Sequence, residues 1–123
     1  MSTTTKTLNS ADLAQFTGSE HWYRHPLNRA IVYTDGARYV AETVRAYWLL
    51  DEIALIQRYN KRVAAQGFQV WKLEVKADQS GVLTCEDGND NVVCTKQIEY
   101  TDFPGAGISL YFTNNTILLP GEY

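Results

Sequence analysis

The sequence predicts an α+β fold in which two main helices cover one face of an antiparallel β-meander of about five strands. Two observations predict it. Between about residues 35 and 66 apolar side chains recur at helical spacing, and from 68 to 119 they alternate as in strands, with the change at Gly67. Turn-forming clusters then interrupt the second half at short, regular intervals. Helices that precede the strands, rather than alternate with them, belong to segregated layers.

The chain has 123 residues, the size of one domain that can bury a core without metals or disulfides. The polar run Ser2-Thr3-Thr4-Thr5-Lys6-Thr7 marks residues 1–9 as a frayed tail, which leaves 10–123 as a single α+β domain. Ser10 is placed to cap a short helix, with Leu13 and Phe16 on one face and Gly18 as its stop. Residues 20–28 read as a polar and aromatic loop, and Ile31-Val32-Tyr33-Thr34 as a short strand.

Asp35-Gly36 carries two readings. A DG pair between apolar runs turns a hairpin, yet Asp35 can equally cap a helix running from Gly36 to about Ala46. The spacing of Tyr39, Val40, Thr43, Val44 and Tyr47 favours the helix. Leu49, Ile53, Ile56, Asn60 and Val63 form the next stripe, so a second amphipathic helix runs from about 49 to 66 and Gly67 closes it.

The strands follow at 68–76, 81–86, 92–101, 108–113 and 117–119. In the first, Trp71, Leu73 and Val75 face the core and Lys72, Glu74 and Lys76 face water. Asn114-Asn115 supplies the positive φ angles of a tight hairpin, and Pro120 stops the last ladder. That terminal strand leaves an edge on which a second copy could pair.

Tyr33-Thr34-Asp35-Gly36, Ala46-Tyr47-Trp48-Leu49-Leu50-Asp51 and Leu118-Leu119-Pro120-Gly121-Glu122-Tyr123 resemble a small bacterial family with the pattern YTDG…YWLLD…LLPxEY. It is a domain of unknown function found in bacterial genomes and mobile elements, including phage and plasmid regions. The resemblance covers about residues 16–123. It implies a compact single-domain protein, brings no activity, cofactor or catalytic residue, and points to a mobile-element accessory protein acting on a host protein.

Composition narrows the function classes. The net charge is −3, and the nearest thing to a basic patch, Arg58, Lys61 and Arg62, reads as a solvated helix face, so nucleic-acid binding is not favoured. No apolar run approaches the ~20 residues that span a bilayer, and no basic segment precedes an apolar one at the N-terminus. The expected location is cytoplasmic, where Cys85 and Cys94 are reduced thiols. A four-residue turn at 88–91 would set them directly opposite across a hairpin. They then read as two small buried hydrophobes, ahead of a disulfide or half of a metal site.

His21 and His25 lie four apart and, with Cys85 and Cys94, contain the atoms of a tetrahedral Cys₂His₂ zinc site. The nine-residue cysteine spacing is unlike an ordinary zinc knuckle, so the histidines read first as loop imidazoles bonded to backbone groups. Asp51 follows Trp48-Leu49-Leu50, an apolar setting for a proton carrier, although pairing with Arg38, Arg45 or Arg58 is the simpler expectation. No nucleophile elbow, phosphate loop or dinucleotide fingerprint is present, and no cofactor is expected.

The chain holds 8 Tyr, 4 Phe and 3 Trp. Tyr100, Phe103, Tyr111 and Tyr123 are the candidate interaction residues, gathered at the sheet edge or on its outer face. The expected function is therefore a non-enzymatic protein-binding accessory or regulatory protein, able to form a homo-oligomer. The alternative is a small metal-dependent or acid–base hydrolase using His21 and His25, with Asp35 or Asp51.

Overall fold

The computed structural model describes residues 13–16 and 21–123; the tail over 1–9, the Ser10 cap and the Gly18 stop lie outside them. In chain order the elements are β1 (Trp22–Arg24), β2 (Val32–Thr34), α1 (Asp35–Val44), α2 (Tyr47–Tyr59), α3 (Lys61–Ala64), β3 (Phe68–Val75), β4 (Gly81–Asp87), β5 (Val92–Ile98), β6 (Gly107–Thr113) and β7 (Thr116–Leu118), followed by a 3₁₀ turn, Pro120–Glu122.

The α+β class stands, but the sheet is neither five-stranded nor purely antiparallel. Its seven strands run in the order β1-β2-β7-β6-β3-β4-β5, and β2 pairs with β7 in parallel. Two rearrangements account for the difference. Residues 22–24, expected as loop, form an edge strand opposite β2, with Tyr23 facing Tyr33. The chain also leaves β5 and returns to the far side of β3, which gives β3 a partner on each side. Gly107 makes this return possible: it sits at φ 118°, and a Cβ there would lie 1.7 Å from the Leu73 carbonyl oxygen. As a result β7 lies between β6 and β2 rather than at an edge, and the sheet edges are β1 and β5.

The DG pair is helical. The cap is Thr34 rather than Asp35: the Thr34 hydroxyl accepts the Ala37 N–H at 3.2 Å, and Arg45 at φ 55° ends the helix. The stripe expected as one helix over 49–66 is two. Asn60 adopts an extended conformation (φ −121°, ψ 103°), donates its N–H to Ile56 as the last bond of α2, and accepts from Val63 N through its side chain to start α3. Gly67 has no positive φ and does not cap, because α3 already ends at Ala65, whose N–H bonds to Lys61 O.

One sheet face is covered by the helices. Trp71, Leu73, Leu83, Cys85, Leu110, Phe112 and Ile117 alternate inward and pack with Val40, Ala41, Leu50, Ile53, Ala54 and Val63. Each fully buried leucine, isoleucine or phenylalanine contributes on the order of 1.5–3 kcal/mol. Gln69 is also wholly buried on this face. It exchanges two amide hydrogen bonds with Gln57 (2.8 and 3.0 Å), donates to Val63 O and accepts from Trp71 Nε1, so its burial leaves no polar atom unsatisfied. Among the described residues, no helix is long and apolar enough to cross a membrane.

Candidate functional site

The three resemblance-bearing segments are drawn together at the β1–β2–β7 end of the sheet. Glu122 joins the first to the last. Its Oε1 accepts the Thr34 hydroxyl at 2.6 Å and Leu119 N–H at 2.9 Å, and its Oε2 accepts Gly36 N–H at 3.1 Å. The carboxylate thus sits at the positive end of the α1 dipole and satisfies an N–H that the helix itself cannot. A Cβ at position 36 would meet Glu122 Oε1 at 2.5 Å and Leu119 Cδ1 at 2.7 Å, so any residue but glycine there forces these side chains to shift.

Beside this junction lies a polar aromatic cluster on the helix side of the sheet. The Tyr23 hydroxyl donates to Asp35 Oδ1 at 2.9 Å, and the Arg38 guanidinium lies 4.8 Å from the Tyr23 ring centroid. Tyr33 stacks on Tyr23 at 5.7 Å and meets the Tyr47 ring edge-on at 6.3 Å. Burial, with Tyr33 and Glu42 nearby, raises the Tyr47 phenol above its ordinary value, while Tyr23 holds the Arg38 guanidinium up.

His25, 1 % exposed, anchors the cluster to α2. Its Nδ1 accepts the Leu27 and Asn28 N–H groups at 3.1 and 3.2 Å, which assigns the proton to Nε2, and Nε2 donates to Asp51 Oδ1 at 2.9 Å. Both ring nitrogens are therefore engaged, and neither is available to take a proton from a substrate. Asp51 pairs with this histidine rather than with an arginine. His21 instead exposes 71 % of its side chain, and its Nδ1 stands 3.7 Å from Asp35 Oδ2.

The histidines flank β1, whereas Cys85 and Cys94 face each other across β4 and β5. Five strand spacings, about 24 Å, separate β1 from β4. The four side chains consequently do not form one tetrahedral set, and among the described residues no three His, Cys, Asp or Glu side chains cluster to hold a metal. In the 88–91 turn the Asp87 carboxylate is taken up by Asn89 N–H, Asn91 N–H and the Asn91 amide. These bonds hold it below the usual carboxylate range.

Among the described residues the opposite face of the sheet carries no helix, and its aromatics collect at one end. Phe68, Tyr111 and Tyr123 form a triangle of ring contacts with centroid distances of 4.9, 5.1 and 5.7 Å. Trp22 (57 % exposed) and Tyr123 (74 %) line a groove of about 290 Å³ over Leu118, and Glu122 lines it too. Of the four expected interaction residues, Tyr111 and Tyr123 meet here. Tyr100 is exposed elsewhere, near Trp48 and Ile98. Phe103 departs from the group: at 2 % exposed it belongs to the core, turned inward where Thr101 Oγ1 accepts its N–H.

Sequence reasoning missed Trp22, Phe68 and Glu122. The first had a detectable signal in the alternation of His21, Tyr23 and His25 with Trp22 and Arg24, which is the period of a strand. The role of Glu122 depends on a partner 88 residues away and had none.

Neither a curated protein nor a solved structure matches the chain. A family model matches residues 7–123, nearly the whole length, and the chain accordingly belongs to that family, DUF6876, a family of unknown function.

Proposed function

We propose that the protein is a non-enzymatic binding protein that captures another protein on the aromatic end of the sheet face opposite its described helices. In this reading it is a cytoplasmic accessory or regulatory factor of a bacterial mobile element, directed at a host protein; the mobile-element part rests on the resemblance of the YTDG, YWLLD and LLPxEY segments alone. The observation that carries the binding reading is the contiguous set of Phe68, Tyr111, Tyr123 and Trp22 on a face that no element of the described chain covers. Aromatic clusters of this kind supply large contact area at low entropic cost and are enriched at protein interfaces. The hydrolytic reading on His21 and His25 has less support, since the ring of His25 is fully engaged and His21 projects into solvent.

The test is a photo-crosslinking residue at position 22, with Tyr59, exposed on the helix side, as the control position. A discrete crosslink to one different protein in cells, present from position 22, absent from position 59 and lost in a folded Tyr123→Glu variant, is the expected result. Equal crosslinking from both positions would sink the reading. Crosslinks between copies of the chain alone would instead make the patch a homo-oligomer interface.

A further inference from the structure

Cys85 and Cys94 are Cα partners in the β4–β5 ladder, and both are free thiols. Residues directly opposite in an antiparallel pair have Cα atoms about 4.5–5.5 Å apart, inside the range a disulfide spans. Their surroundings differ. Cys85 belongs to the core and is wholly buried, whereas Cys94 is half-buried on an edge strand. The ladder register shifts between Cys85 and Glu86, so Val93 is the extra residue of a bulge on the exposed strand, where the backbone can adjust to a shorter sulfur separation.

We infer that Cys85 and Cys94 form a reversible dithiol–disulfide site, with Cys94 as the attacking thiol and Cys85 as the resolving one. The oxidant class is a low-molecular-weight disulfide. The Cys94 thiolate attacks one sulfur of that disulfide and breaks its S–S bond. One thiolate leaves and takes up the proton Cys94 has lost. The Cys85 sulfur then attacks the Cys94 sulfur of the mixed disulfide, its proton passes to the second leaving thiolate, and the Cys85–Cys94 bond is formed. Two protein thiols are oxidised and the small disulfide is reduced to two thiols. The product ties β5, an edge of the sheet, to a strand whose side chains lie in the core.

The electrostatics support this division of roles. Burial, followed by neighbouring Cys94, pushes the Cys85 thiol up to about 12, which disfavours it as the first nucleophile. Burial leaves Cys94 above its ordinary value as well, although its hydrogen bonds with Cys85 and the nearby Arg62 on α3 oppose that rise.

The experiment is intact-mass spectrometry of the full chain equilibrated in oxidised and reduced glutathione at several ratios and pH values. Wild type should lose two hydrogens in mass, faster at higher pH. Cys85→Ala should stop at one glutathione attached to Cys94, and Cys94→Ala should remain unmodified. Alkylation of the native, unmutated chain should label Cys94 well before Cys85, which gives the order of attack without a variant. A wild-type chain that stays a dithiol at every ratio, or halts at the mixed disulfide, would overturn the inference. Equal labelling of both thiols would overturn the assigned roles.

Discussion

β1, β2 and β7, at one end of the sheet, are three residues long, whereas β3 to β6 run to seven or eight. The long strands are held by their ladders and by the alternating inner residues Trp71, Leu73, Leu83, Leu110 and Phe112. A three-residue strand has too few ladder bonds, each contributing about 0.5–1.5 kcal/mol net, to hold its place. At that end side chains share the work: Glu122 ties β2 and α1 to the 3₁₀ turn, His25 ties the β1–β2 connection to α2 through Asp51, and Tyr23 ties β1 to Asp35. The polar residues that look most like catalytic groups are concentrated where strands are shortest. That placement explains them as fasteners of the short strands.

The comparison breaks most readily at the long-strand end. Gly107→Ala places a Cβ against the Leu73 carbonyl at a positive φ, so β6 must leave β3 or the loop must rebuild. A loss of about 4 kcal/mol or more is expected in denaturant titration. A loss below about 1 kcal/mol would mean that β6 is not held rigidly against β3.

A smaller effect sharpens the other end. Gly36→Ala improves helix propensity by about 1 kcal/mol yet should destabilise by about 2 kcal/mol, because the new Cβ collides with Glu122 and Leu119. In a Glu122→Ala background the penalty should shrink without vanishing, since Leu119 Cδ1 remains 2.7 Å away. Additive losses in this double-mutant cycle would show that the carboxylate does not set the constraint at position 36.

The smallest effect concerns pH. The Asn91 and Asn89 N–H groups depress the Asp87 carboxyl below its ordinary value, so its contribution is present above the unfolded-state pKa and is lost as pH falls through the lower, folded-state one. Asp87→Asn should therefore lower neutral-pH stability slightly while leaving stability below the folded-state pKa little changed, which flattens the acid limb of the stability curve. An unchanged acid limb would assign that dependence to other carboxylates.

What was legible in the sequence follows the same division. The long strands show two or three full alternations each, and the inward Leu83–Cys85 pair and the Cys85–Cys94 register follow from the alternation and turn length. β1 shows its alternation over only five positions, 21–25, and nothing local to β2 or β7 announces a parallel partner more than eighty positions away. The break at Asn60 was obscured because the apolar stripe continues through it to Val63. Of the aromatic patch, Tyr111 was readable from its place opposite the Leu110–Phe112 face, whereas Phe68 and Trp22 join it only through the twist and order of the sheet. Phe103 was misplaced because a loop phenylalanine looks exposed until the turn at Thr101 directs it inward.

The Thr34–Glu122 bond also bears on how the chain is made. Synthesis delivers β2 and α1 long before residue 122, so the first turn of α1 waits for its carboxylate, and β2 for its parallel neighbour, while 81 residues are added between β2 and β7. Pairings of such sequence separation slow folding, because loop closure must precede the contacts that reward it. That end of the sheet is therefore the last to assemble, after residues 116–122 have been added.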